Sequence, residues 1–256
     1  MKAVFCGIFS EIRKDILKGL PKKKVGRNSK GDITKFFDKH AENKAIRLLG
    51  KKTKFNARII SEELSREIKI TKKKGQPYNT VIIDPVDGSD NYALGIPFVC
   101  FGVAVFDPSF KPLYSFAGNY FTGDYIYADR KKIAFGMKKN DAGKRTAIIT
   151  LSGIRKGNLC GFIKQYNRIR TMGATIGEMI MVAKGEAETF IDVRNRLTLE
   201  NFAPFFLIAR RTGSVLTDEK GKKIEIKTLS LSRGYNIVYS RSKAAHKSAL
   251  KNLKKI

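Results

Sequence analysis

The string Ile-Asp-Pro-Val-Asp-Gly-Ser-Asp-Asn, residues 83–91, sets two carboxylates, Asp84 and Asp87, around a Pro-Val turn at the end of an apolar run. Hard cations such as Mg²⁺ take oxygen ligands, usually one or two carboxylates together with water and substrate phosphate. A tight turn of this kind lets Asp84, Asp87 and the Val86 carbonyl address a single point. Gly88 then allows a close backbone approach, and a helix opening behind it would present unpaired N–H groups to a phosphate. Taken alone, D-P-V-D reads more readily as an ordinary surface turn in which an aspartate caps a helix.

The surrounding string is more specific. D-P-x-D-G-[ST]-x-N continues into G-x-P-F at residues 95–98, and R-I-I-S-E-E, ending in Glu62 and Glu63, lies upstream of it. Before both stands S-K-G-D-I-T-K-F-F-D-K-H-A-E, which contains Asp38, and after them come G-A-T-I-G-E-M-I-M-V-A-K-G and L-I-A-R-R-T-G-S-V-L-T-D. In this order, across residues 30–220, the motifs resemble those of the inositol-monophosphatase superfamily, metal-dependent phosphatases of sugar and inositol phosphates.

The resemblance implies roles position by position. Glu62, Asp84, Asp87 and the carbonyl of Val86 would bind metal, two or three Mg²⁺ ions with Mn²⁺ as a possible substitute. Glu63 would support them from behind. Ser89, where threonine is commoner, would work with Asp38 and Glu62 to orient and deprotonate the attacking water, while the N–H groups of Gly88 and Ser89 hold the phosphate. Gly173, Ala174 and Thr175 would flank the substrate ring. Arg194, in F-I-D-V-R, would contact a second phosphate or a hydroxyl. This D-x-R resembles archaeal members that accept both inositol monophosphate and fructose 1,6-bisphosphate, although a plain ion pair between Asp192 and Arg194 fits the sequence as well.

One position departs from the pattern. The family's last metal-ligand aspartate falls on Asn201 in E-N-F-A-P-F. An amide oxygen can coordinate Mg²⁺ but brings no charge, so this ligand would hold its ion weakly. Neighbouring Glu200 would point elsewhere on a helix. Two rival readings therefore stay open: a non-catalytic descendant that binds phosphorylated ligands or nucleic acid, and a 3′-phosphoadenosine 5′-phosphate phosphatase.

The elements that must carry these residues follow from apolar periodicity. Helical spacing covers residues 4–20 and 33–49, and strands are expected at 58–60, 79–83, 99–106, 113–118 and 125–128, the last three as an antiparallel meander. The second half alternates: strands at 147–151, 188–192 and 237–239, and helices at 157–166, 177–183, 199–211 and 242–253. Pro204 is tolerable near a helix start. Layers in this order indicate a mixed α/β sandwich, which the resemblance sharpens to five layers, α-β-α-β-α. It divides into an N-terminal α+β half, residues 1–140, and a C-terminal α/β half, residues 141–256, with the site between them. His40 and His246 read as structural, and Tyr92, Phe98 and Phe101 as core.

At 256 residues the chain can bury a substantial core. No stretch reaches the roughly 20 apolar residues of a membrane span, and Cys6, Cys100 and Cys160 lack metal-ligand spacing, so reduced thiols in a cytoplasmic protein are expected. Lys and Arg number 51 against 23 Asp and Glu, a net charge of +28 that attracts anions. The lysines are spread along the whole chain instead of being interleaved with aromatics on one face, so a phosphorylated small molecule is the expected partner and nucleic acid a non-specific one. The family resemblance further implies a homodimer.

Overall fold

The structure, a computed structural model, describes residues 1–28, 31, 33–64, 66–138, 143–150, 162–226, 231 and 233–254. Its main sheet has seven strands in the order β4-β3-β5-β6-β7-β8-β9, formed by β3 (Ala57–Ser61), β4 (Ile68–Ile70), β5 (Asn79–Asp87), β6 (Cys100–Phe106), β7 (Pro112–Asn119), β8 (Tyr125–Asp129) and β9 (Ile133–Phe135). Within this sheet, among the described residues, only β3 and β5 pair in parallel; β6 to β8 are the expected antiparallel meander, which β9 extends by a strand. A second sheet has five strands in the order β11-β10-β12-β14-β13, built from β10 (Thr146–Ile149), β11 (Arg168–Arg170), β12 (Thr189–Leu197), β13 (Val215–Thr217) and β14 (Tyr235–Ser240).

Side-chain alternation makes the layers. Along β5, Val81 and Ile83 join a cluster with Phe5, Ile8 and Ile12 of helix α1 (Lys2–Lys18) and with Phe37, Ala41 and Ala45 of α2 (Phe36–Lys52). Ile82 points the other way, because successive Cβ atoms face opposite sides of a sheet. It joins Ile176 and Met179 of α4 (Thr175–Lys184), Phe202 of α5 (Leu199–Phe202) and Phe205 of α6 (Phe205–Thr212), together with Phe190 and Tyr239 of the second sheet. Ile149, Ile191 and Val238 on that sheet's outer face pack on Ala249 of α7 (Lys243–Leu253). The order α1/α2, sheet, α4/α5/α6, sheet, α7 is the five-layer α-β-α-β-α sandwich. Strands buried on both faces read as continuous apolar runs, which is why Cys100–Phe106 is buried throughout.

Two helices differ from expectation. Helical spacing at residues 33–49 begins three residues too early: Ile33–Lys35 forms β2, pairing with β1 (Lys24–Arg27), and α2 starts only at Phe36. Asp38 accounts for the boundary, since its Oδ2 accepts the Lys35 N–H at 3.0 Å and caps the first turn. The expected helix 199–211 is split into α5 and α6 at Ala203 and Pro204, because proline has no N–H to continue the ladder. The expected helix 157–166 and Cys160 lie largely outside the described residues. Cys6 and Cys100 carry free thiols. His40 pairs with Asp15 and His246 is buried between Thr217 and Ser240, both away from the cleft described next. Among the described residues no helix is long and apolar enough to cross a membrane.

Candidate active site

The Asp-Pro-Val-Asp turn is an interruption of a ladder. β5 pairs Asp84 with Gly102 and Asp87 with Cys100, so the segment 84–87 carries one residue more than its partner and bulges out of register. Tyr120 holds the bulge from below, donating its hydroxyl to the Pro85 carbonyl at 2.7 Å. Gly88 follows at φ +93°, and a Cβ there would stand 2.9 Å from the Phe98 carbonyl oxygen and 3.0 Å from Ala174 Cβ. Only glycine satisfies both the conformation and the space. The chain then enters α3 (Ser89–Leu94).

Ser89 meets Asp38 at this point. Its hydroxyl donates to Asp38 Oδ1 at 2.6 Å and lies 3.1 Å from the Val86 carbonyl. Having one proton, it gives it to the nearer acceptor, which leaves its lone pairs facing the cleft. Asp38 is itself buried, which pushes its pKa above the usual carboxylate value, while the bonds from Ser89 and the Lys35 N–H pull it back. The Lys35 ammonium reaches Asp90 at 2.7 Å, fastening the start of α2 to α3, although Asp90 is open to solvent and the pair is worth little in energy.

These groups line a cleft of about 620 Å³ whose walls include Asp38, Glu62, Glu63, Asp84, Asp87 and Asn201, together with Lys24, Arg27 and Lys35. Glu62 accepts from Asn28 Nδ2 at 2.8 Å, and Glu63 accepts the Thr34 hydroxyl. Burial, with Asp38, Glu62 and Glu42 nearby, raises the Glu63 pKa to about 7. Burial and then Glu178 raise that of Asp87 to about 8. Carboxylates pushed together like this are what a divalent cation relieves, and the groups at Asp38, Glu62, Glu63, Asp84 and Val86 offer hard oxygens. That donor set fits a metal on the side of Glu62, Asp84 and the Val86 carbonyl. Among the described residues, however, no three His, Cys, Asp or Glu side chains converge as a ready cage.

The second half of the chain closes the site through backbone. The N-terminus of α4 points at Asp87, whose oxygens accept from Thr175 N at 3.1 Å, Ile176 N at 2.7 Å and Gly177 N at 3.4 Å. Gly173 lines the cleft, Ala174 is buried against Gly88, and Thr175 serves Asp87 through its backbone N–H. Asn201 is brought to the site, with Nδ2 3.5 Å from Asp84 Oδ2. Asp192 is not at the cleft wall. It is fully buried and holds Arg194 in a two-pronged pair, Nε at 2.9 Å and Nη2 at 2.6 Å, so it orients the arginine and leaves no face for substrate.

Two supporting residues escaped the sequence reading. Glu178, buried in α4, accepts the N–H groups of Met172 at 2.5 Å and Gly173 at 3.1 Å, and burial raises its pKa to about 7. Asn91 donates to the Phe98 and Met172 carbonyls at 2.8 and 2.7 Å and so ties α3 to the loop before α4. The N in D-G-[ST]-x-N was a visible signal for Asn91, and Glu178 is the glutamate of G-A-T-I-G-E-M-I-M-V-A-K-G, where the string alone assigned it no role.

The fold and this cleft are those of a metal-dependent phosphatase. The chain belongs to the inositol monophosphatase family, whose sequence model matches residues 2–256. It is 31% identical over 244 residues to a fructose-1,6-bisphosphatase/inositol-1-monophosphatase of Methanocaldococcus jannaschii, covering 92% of each chain. The enzyme of the same description from Thermococcus kodakarensis is 31% identical over 223 residues, covering 84% of this chain and 80% of that protein. A solved inositol monophosphatase–fructose 1,6-bisphosphatase superposes with a TM-score of 0.81 at 29% identity over 98% of both chains.

Proposed function

We propose that this protein hydrolyses phosphate monoesters, inositol monophosphate and fructose 1,6-bisphosphate among them, with Mg²⁺ or Mn²⁺ bound. The observation that carries the reading is the Ser89–Asp38 pair, 2.6 Å apart and adjoining the Val86 carbonyl on a wall of carboxylates. Glu62, Asp84 and the Val86 carbonyl would hold the cation. Such an ion, when bound, offsets phosphate charge and lowers the pKa of a nearby water. The rest falls to the chain. Ser89 Oγ orients the attacking water as it accepts a hydrogen bond from it, and passes its own proton toward Asp38, the base. Burial raises Asp38's proton affinity while the Ser89 bond keeps the anion available. The N–H groups of Gly88 and Ser89, at the opening of α3, are the donors for the phosphate oxygens. Gly173, held by Glu178 and preceded by Met172, whose carbonyl Asn91 holds, borders the rest of the ester.

Phosphate release at millimolar Mg²⁺ or Mn²⁺ over inositol 1-phosphate, fructose 1,6-bisphosphate and 3′-phosphoadenosine 5′-phosphate tests this. Turnover of either of the first two supports it. Turnover of only the third moves the substrate to a nucleotide, and none with any ester favours the non-catalytic reading that Asn201 suggests. A cytoplasmic homodimer belongs to the same proposal; sedimentation analysis checks its dimeric part.

A further inference from the structure

Asn201 stands where the resemblance expects an aspartate, and the two ends of its amide do different work. Oδ1 accepts the backbone N–H of Thr198 at 3.0 Å, closing the first turn of α5 as half of a capping box. The Thr198 hydroxyl also lies 3.2 Å from this oxygen, but its proton has a nearer acceptor in Glu200 Oε1 at 2.5 Å. Nδ2 faces the opposite way, into the cleft, 3.5 Å from Asp84 Oδ2.

A carboxylate has two acceptor oxygens, so an aspartate could cap α5 with one and offer the other to a cation. An amide has one oxygen, and here that oxygen is turned onto the helix cap while the NH₂ faces the cleft. Rotating the amide would set its NH₂ against the Thr198 N–H, donor facing donor, and leave the cap unmade. What Asn201 presents to the cleft is thus the positive end of an amide dipole, directed at Asp84. Asp87 is committed too, with both oxygens accepting N–H groups at the start of α4.

We infer that Asn201 eliminates the cation position between Asp84, Asp87 and residue 201, its NH₂ standing in for the ion. The chain then loads one divalent cation fewer than an aspartate at 201 would permit. This deepens the reading of the cleft as a metal-dependent phosphatase site and rests on the divalent-cation part of that reading. Asn201 acts as a positioning residue for Asp84, and the ion held by Glu62, Asp84 and the Val86 carbonyl is unaffected.

The test counts Mn²⁺ bound per chain by equilibrium dialysis, with electron paramagnetic resonance of the free ion, in the presence and absence of inorganic phosphate. Asn201→Asp, nearly equal in volume, should bind one more Mn²⁺ than the wild type, and Asn201→Ala should bind the same number as the wild type. Equal counts for wild type and Asn201→Asp would overturn the inference, as would a loss of Mn²⁺ in Asn201→Ala, which would make the amide a ligand. Counts as expected from a protein that releases phosphate from no ester would instead overturn the phosphatase reading and leave the inference standing.

Discussion

Replacing Asp38 by asparagine asks the same question of a second carboxylate. Asp38 uses both oxygens: Oδ1 accepts from Ser89 Oγ at 2.6 Å and Oδ2 accepts the Lys35 N–H at 3.0 Å. The amide can keep only one of these bonds. If its oxygen stays on the Lys35 N–H, its NH₂ faces Ser89, and the hydroxyl must turn its proton to the Val86 carbonyl, 3.1 Å away. If its oxygen stays on Ser89, the first turn of α2 loses its cap, at a cost of about 1 kcal/mol. In neither orientation can residue 38 accept a proton. Loss of a positioned general base is worth about 10²–10⁴ in rate, or about 3–5 kcal/mol in the barrier. The expected result for Asp38→Asn is therefore a fall in kcat of that size, with KM within a few-fold of the wild type and a folded protein by circular dichroism. The wild type should show an acid limb in kcat/KM at a pH above the ordinary aspartate range, because burial raises the pKa of the base. Initial rates of phosphate release across pH measure both. A folded Asp38→Asn that turns over within threefold of wild type would refute the assignment of the base.

Gly88→Ala should destabilise the protein by about 1–3 kcal/mol and abolish turnover, since alanine is strained at φ +93° and its Cβ would press on the Phe98 carbonyl and Ala174; denaturant unfolding and rates check it. The metal-free protein should lose of order 2 kcal/mol of stability as pH rises from 6.5 to 8. Glu178, Glu63 and Asp87 have folded pKa values raised to about 7, 7 and 8, so the folded state holds more protons than the unfolded chain and ionising these groups costs stability. His246, whose pKa is lowered by burial, opposes this trend only below pH 6.5. Saturating Mn²⁺ should flatten the fall, as unfolding temperatures with and without chelator will show. Duplex DNA should bind weakly, without sequence preference, and be released by a few hundred millimolar salt, because its attraction is to the net charge of the chain; binding that survives such salt in a filter assay would require a dedicated surface.

What the sequence made visible is what its own neighbourhood determines. Asp84, Val86, Asp87, Gly88 and Ser89 sit on consecutive backbone, so a turn that aims one of them constrains the others. Strands such as Cys100–Phe106 were legible because burial on both faces leaves an unbroken apolar run. Residues 33–35 misled because Ile33 and Phe37 stand four apart, the spacing of a helix face, while the pairing of Ile33–Lys35 with Lys24–Arg27 is a tertiary event. Pro204 was visible, but whether it would open a helix or split one depended on how α5 and α6 pack. The Asp192–Arg194 pair could have lain wholly at the surface; Asp192 is buried because β12 is a central strand, between β10 and β14, while Arg194 is half-buried. Glu178 acts on Met172 and Gly173 through side-chain-to-backbone bonds, and such acceptors leave no periodic trace.

The positive charge and the acidic cleft act at different distances. A net +28 spread over the chain sets up a field that anions sense from outside, screened over about 8 Å at physiological salt. Inside the cleft carboxylates predominate, Asp38, Glu62, Glu63, Asp84 and Asp87, although burial keeps Glu63 and Asp87 partly protonated near neutral pH. A phosphate ester is thus drawn toward the protein by the whole molecule and repelled in the last few ångströms unless a cation intervenes. Lys24, Arg27 and Lys35, which also line the cleft, counter part of that repulsion. An uncharged Asn201 softens it on the side facing α5, because a carboxylate there would add another like charge beside Asp84. At about 4 Å two such charges repel by about 4 kcal/mol at an effective dielectric constant near 20. The amide avoids that repulsion without an ion, whereas an aspartate would need one, so the residue at 201 and the number of cations the site requires are coupled by the same electrostatics.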